Sequence, residues 1–131
     1  AVLQGQTPPP APLATRDLSA YDGGTVAEII AALEAAGDEV SLKPIRRNSP
    51  LSMAATLVMV RAARDDARIQ DSLSREYRFT HRATESSDFL EGVRAQIIDK
   101  DRNPNWSAPA DPEAVAAMLA DLGPQDLTWE N

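Results

Sequence analysis

The chain has 131 residues, a net charge of −7, 43% apolar residues and few aromatics, so it makes one domain, or part of a larger one, with a core dominated by small side chains. The absence of cysteine excludes disulfides, zinc–thiolate sites and cysteine nucleophiles together. The acidic balance argues against a general nucleic-acid binder, and no stretch has the apolar length of a membrane span.

The first residues, "AVLQGQTPPPAPLA", carry no basic n-region and no long apolar run, so they do not read as a signal peptide. The opening residue is not Met, and the sequence reads as the continuation of a longer chain. Residues 1–24 hold four prolines before residue 13 and a glycine pair at 23–24, which predicts a Pro-rich extended connector.

A first helix is expected from Thr25, because "TVAE" is a capping box in which the Thr hydroxyl and Glu28 serve each other's backbone amides. Val26, Ile29, Ile30 and Leu33 mark its apolar face, and Gly37 supplies a left-handed stop. Residues 38–48, with Pro44 and "RRN", read as a connector. Ser49–Pro50 opens a second helix, with Ser as cap and Pro at the first position, where its missing donor costs nothing. Leu51, Met53, Ala54, Leu57, Val58 and Val60 make that helix apolar nearly all round, the best candidate for burial.

A third helix is expected over 67–84, with Ile69, Leu73, Tyr77 and Thr80 on one face and Arg75, Arg78 and Arg82 on another. A fourth begins with Asp88 as cap and Glu91 three residues on; Phe89, Leu90, Val93 and Ile97 form its stripe. A last helix fits 112–122, capped by Asp111, with Pro112 first and Gly123–Pro124 as its stop. No strand pattern and no internal repeat are present. The fold class is therefore all-α: about five amphipathic helices in a helical domain over 25–131, behind the Pro-rich arm. So thin a core implies support from a larger body in the same chain or a partner subunit.

Charge is unevenly spread. Twelve of the thirteen Lys and Arg, but nine of the twenty Asp and Glu, lie in residues 43–102, leaving that span at +3 and each flank at −5. A mildly basic middle between acidic ends suits a phosphate ligand; it equally suits helix surfaces of mixed charge.

The segment "DKDRNPN" places Asp99, Asp101 and Asn103 at positions 1, 3 and 5 of a calcium-loop pattern. Position 6, however, is Pro104 where glycine is needed, and position 12 is Ala110 where glutamate is needed, so the metal reading fails and no metal site is expected. His81 lies two turns from Ser74, about 10 Å along one helix, too far to hydrogen-bond, and no nucleophile elbow is present. Gly23–Gly24 before a helix N-terminus could accept an anion, but a plain helix entry is the simpler reading. Lys43, Arg46 and Arg47 form a short basic cluster without interleaved aromatics, read as a solvated loop. Glu76, Arg78, Glu91 and Arg94 alternate in sign beside apolar stripes. They read as structural bridges tying the third and fourth helices together, or to a missing body, rather than as acid–base carboxylates.

These strings also resemble a known family. "SLSREYRFTHRATESSDFLEGVRAQIIDKDRNPNW" is similar to the C-terminal segment of 3-hydroxyisobutyryl-CoA hydrolases, of the enoyl-CoA hydratase/isomerase (crotonase) superfamily. The matching elements are "EYR" at 76–78, "DFLEGVRA" at 88–95 and "DKDRNPNW" at 99–106, with Trp106 as an anchor. "RRNSPLSMAATL" and "QTPPPAPLA" with "TVAEIIAALEAAG" extend the resemblance to nearly the whole chain.

The resemblance implies an enzyme whose α/β spiral core, with its oxyanion-binding amides and acidic catalytic residues, lies outside residues 1–131. No catalytic residue is then expected in this chain, which alone should be inactive. Its implied role is to cover the core, complete an acyl-CoA pocket and allow for a homo-oligomer contact. The implied substrate carries coenzyme A itself, with no further cofactor, nucleic acid or membrane partner. Hydratase-branch members place a C-terminal lysine near the CoA phosphates and adenine, and Lys100 occupies the comparable place, flanked by Asp99 and Asp101. The implied location is the bacterial cytoplasm, or the mitochondrial matrix in a eukaryote. A non-catalytic interaction module derived from the same family, or part of a hydratase or isomerase, are the alternatives.

Overall fold

The structure, a computed structural model, describes residues 17–129; residues 1–16, most of the expected connector, lie outside it. Six helices follow a short 3-10 turn at Ser19–Tyr21: α1 (Val26–Ala35), α2 (Glu39–Arg47), α3 (Pro50–Ala62), α4 (Ile69–Ser86), α5 (Phe89–Val93) and α6 (Pro112–Leu119). Among the described residues there is no strand, so the chain is all-α as expected.

The local start signals work as read. In α1 the Thr25 hydroxyl accepts from the Glu28 amide, and Glu28 reaches back to the Thr25 amide at 3.2 Å, completing the capping box. Gly37 sits at φ +68°, a conformation that penalises any side chain bearing a Cβ. Ser49 caps α3, accepting from Ser52, and Asp111 caps α6, accepting from Ala114 at 2.9 Å.

The expected connector at 38–48 is instead mostly helix. Asp38 acts as its cap, accepting from the Ser41 amide at 3.0 Å and the Ser41 hydroxyl at 2.7 Å. Pro44 is tolerated because the carbonyl it leaves without a donor belongs to Val40, a residue 82% exposed that water can serve. Leu42, fully buried against Ile29 and Leu33, fixes α2 onto α1.

Two apolar clusters are strung along α3. Leu51 and Ala55 pack with Val115 and Met118 of α6, while Leu57 leans on the Ile29, Leu33 and Leu42 cluster. The helix is nevertheless not buried all round: Val58 is 47% exposed and Val60 56%. The two lie on opposite sides of the helix, and each is left partly open among the described residues.

In α4 the expected apolar face is turned outward. Ile69, Leu73 and Thr80 are exposed and Tyr77 is half-buried, while Phe79 and Ala83 face inward together with the partly shielded Arg75, Arg78 and Arg82. The arginines win the inward position because acceptors wait there. Arg82 donates to the carbonyls of Met118 (3.1 Å) and Ala120 (2.7 Å), the free C-terminal end of α6. This end comes earlier than 122: Ala120 is extended, and Gly123–Gln125 forms a separate 3-10 turn.

Candidate functional site

The site is assembled around the segment that follows α4. Asp88 stands at the N-terminus of α5, but its side chain does not cap that helix. It is 5% exposed and accepts from the Ser49 hydroxyl (2.8 Å) and from the amides of Ser107 and Ala108 (both 2.9 Å). One buried carboxylate therefore ties the start of α3, the start of α5 and the loop before α6. The sequence signal, an Asp three residues before a Glu, was ambiguous. It suggested a capping box, whereas the carboxylate spends its acceptors on groups distant in sequence.

After α5 the backbone widens into a π-helical turn at Arg94–Ile98, closed by the Asp99 amide on the Arg94 carbonyl at 2.8 Å. Arg94 then gathers the acidic turn. Its Nε and Nη2 form a bidentate pair with Glu91, both at 2.8 Å. Its Nη1 reaches Asp99 at 2.6 Å and Asp101 at 2.7 Å, and Nη2 also donates to the Asn103 carbonyl at 3.2 Å. The carboxylates that a calcium ion would require are committed to a guanidinium, which is the positive physical reason that the calcium pattern fails here.

The electrostatics follow that geometry. The Arg94 guanidinium, helped by the Asn105 amide, holds the Glu91 carboxyl at about 2. Asp101 is lowered by Arg94 and then by the Asn103 amide, and Arg94 itself is pushed up by Glu91, Asp101 and Asp99.

Lys100 and Arg102 in the same turn both occupy the left-handed region, at φ +57° and +56°. Each such residue costs about 1–2 kcal/mol. The cost is carried by the surrounding bonds: the Arg102 amide donates to the Ala95 carbonyl at 3.0 Å and the Asn103 amide to Asp101 at 2.8 Å. Trp106 closes the loop. Its ring packs over Gly92 and its Nε1 donates to the Arg47 carbonyl at 3.1 Å, joining the loop to the end of α2.

The signature residues therefore separate. Glu91, Arg94 and Trp106 come together in and around the turn. Arg78 lies on α4 and pairs with Asp126 at 2.6 Å and Asp121 at 3.1 Å, tying α4 to the segment after α6. For Asp126, burial raises the pKa, but Arg78 and the amides of Leu127 and Leu122 outweigh it and the net shift is downward. Glu76 is exposed and forms no ion pair among the described residues. Among the described residues none of these four bridges α4 to α5, the expected third and fourth helices; Glu91 and Arg94 pair with each other, and Arg78 ties α4 to the segment after α6.

The remaining candidates are absorbed locally. Ser74 accepts from the Trp129 indole at 3.2 Å, and His81 lies against Tyr77 with ring centroids 5.8 Å apart. At Gly23–Gly24, the Gly24 amide is taken by Glu28 and both carbonyls by Arg61, so the place where an anion would sit is occupied by the chain itself. Within the basic cluster on α2, Arg46 pairs with Glu34 at 2.6 Å and Glu39 at 3.6 Å.

Beside the turn lie two open apolar grooves on either side of α3, about 840 and 640 Å³ in volume. The larger runs between α3 and α5, lined by Met53, Val60, Phe89, Val93 and Ile97. Both grooves are lined mainly by apolar side chains.

The chain belongs to the enoyl-CoA hydratase/isomerase family, whose model matches residues 6–122. It is 38% identical over 119 residues to the mitochondrial 3-hydroxyisobutyryl-CoA hydrolase of Homo sapiens, a match covering 85% of this chain and 30% of that protein. The chain thus spans under a third of the curated relatives' length, and the match fits a C-terminal region of that enzyme. Among solved structures, an enoyl-CoA hydratase from Rhodobacter sphaeroides superposes with a TM-score of 0.82 at 42% identity, covering 98% of this chain and 43% of that one. The small ribosomal subunit protein mS47 of Arabidopsis thaliana is 39% identical over 95 residues, covering 65% of this chain and 23% of that protein. None of the described helices is long and apolar enough to cross a membrane.

Proposed function

We propose that this chain is the helical C-terminal portion of a CoA-thioester hydrolase that acts on 3-hydroxyisobutyryl-CoA in valine breakdown. The similarity to the human hydrolase over most of the chain carries the reading. The open grooves around α3 support it, because they offer the apolar face that a catalytic core would cover. In this reading the core supplies backbone donors that stabilise the thioester oxyanion and carboxylates for proton transfer. The helical portion packs on the core and completes the acyl-CoA pocket, and is inactive alone. Lys100 contacts the CoA phosphates. The substrate brings the coenzyme A and no other cofactor takes part. The location is the mitochondrial matrix in a eukaryote, or the cytoplasm of a bacterium.

A second reading is a non-catalytic module descended from the same family, favoured by the similarity to the ribosomal protein mS47. The test is to assay the intact protein that carries this chain with 3-hydroxyisobutyryl-CoA, following release of the free thiol, and with crotonyl-CoA, following hydration. Thiol release supports the hydrolase. Hydration without thiol release assigns a hydratase. A folded protein that does neither is the non-catalytic module.

A further inference from the structure

We propose that Asp22 and Gly23 form a site of spontaneous isoaspartate formation, and that Arg61 is the latch that holds it closed in the folded protein. The reaction needs no substrate or partner, so the site is independent of the hydrolase reading.

In an Asp–Gly pair the glycine amide nitrogen can attack the aspartate Cγ. The nitrogen loses its proton, the carboxyl loses its hydroxyl as water, and a five-membered succinimide remains. Water then reopens the ring at either carbonyl, giving back aspartate or leaving Gly23 joined to the side-chain carboxyl as isoaspartate. The water lost is the water regained, so no other reactant is needed and the mass is unchanged. Both reacting groups are available here. Asp22 is exposed, and its carboxylate takes no hydrogen bond or ion pair among the described residues. The Gly23 amide likewise donates to no acceptor among them. Glycine leaves that nitrogen open to attack, and packing keeps a glycine there. A Cβ at Gly23 would come within 2.9 Å of the Glu28 Cβ and 3.1 Å of the Ile29 nitrogen, too close for any larger residue.

The backbone opposes the reaction. Asp22 has ψ −13°, and ring closure requires rotation about its Cα–C bond until the Gly23 nitrogen eclipses Cβ. That rotation carries the next residues with it, and they are tied down. Arg61 donates to the Gly23 carbonyl and, at 2.9 Å, to the Gly24 carbonyl, while Glu28 accepts from the Gly24 and Thr25 amides. Glu28 lies in the first turn of α1 and can move with the loop. Arg61 comes from α3, 38 residues along from Gly23, so it is the bond that fixes the pair to the rest of the fold. Isoaspartate lengthens the main chain by one bond of about 1.5 Å. It would draw the Gly23 carbonyl off Arg61 and loosen the entry of α1, where Tyr21, Val26 and Arg61 border the larger groove.

The experiment ages the intact protein at neutral pH beside a synthetic peptide of residues 17–29. Isoaspartate at position 22 is read by enzymatic methylation and by electron-transfer fragmentation of the peptide that carries it, and folding by circular dichroism. The wild-type protein should isomerise at least about tenfold more slowly than the peptide, because opening breaks a bond to a charged guanidinium. Arg61→Ala should approach the peptide's rate while still folded. Arg61→Lys, which loses the fork that grips both carbonyls, should fall between. Asp22→Glu, whose longer side chain does not close the five-membered ring, should form none. A wild-type rate equal to the peptide's, or Arg61 variants as slow as the wild type, overturns the latch. A peptide that forms no isoaspartate, or a signal that survives in Asp22→Glu, overturns the site. If Arg61→Ala unfolds, Arg61→Lys decides.

Discussion

Replacing Asp88 tests the knot that joins three elements. Asp88→Ala leaves the amides of Ser107 and Ala108 and the Ser49 hydroxyl without their shared acceptor. Hydrogen bonds to a charged group contribute about 1.5–3 kcal/mol each, and orphaned donors in a shielded site cost a similar amount. One effect reduces the sum: the two amides are only part-buried, so water can serve them in part. The expected loss is about 3–4 kcal/mol. Asp88→Asn keeps one oxygen for the two amides and offers its NH2 to Ser49, so it should cost about 1–2 kcal/mol. The assay is urea unfolding of the intact protein, with hydrogen exchange read at residues 107 and 108. Those two amides should lose protection in the Ala variant and keep most of it in the Asn variant. A loss below about 1 kcal/mol for Asp88→Ala, or unchanged protection at 107 and 108, would refute the reasoning.

The acid limb of stability is expected to depend on Glu91. Its folded pKa, about 2, lies below the ordinary 4.5, so the unfolded state binds the proton more readily. Its stabilisation is complete above pH 4.5 and is lost as pH falls toward 2; Glu91→Gln should flatten an acid titration followed by circular dichroism over that window. Leu51→Ala, at a side chain 1% exposed between α3 and α6, should lower unfolding stability by about 2–5 kcal/mol in urea denaturation. Gly37→Ala meets no atom within 4 Å, so its loss of about 1 kcal/mol in the same assay reflects the positive φ alone.

The fate of Arg94 shows how far sequence spacing reaches. The Glu91–Arg94 pair is an i,i+3 relation on a helix and could be read directly. That the same guanidinium also collects Asp99, Asp101 and the Asn103 carbonyl depends on the π turn and two left-handed residues, which no periodicity announces. Likewise the apolar stripe of α4 was visible, but its direction was not. A stripe states which residues share a face, and partners decide whether that face turns inward. Here Asp66, Asp126 and the end of α6 drew the arginines in, and the apolar residues were left outside.

What the sequence determined by itself is local. The caps at Thr25, Ser49 and Asp111 and the stop at Gly37 rest on groups within a few residues of one another, so their chemistry is complete in a short window. The tertiary structure alone decided the knot at Asp88, the docking of α2 through Leu42, and the open grooves flanking α3. Each depends on residues brought together from far apart along the chain. Their energies come from burying side chains against particular neighbours, or from leaving them bare where no neighbour lies.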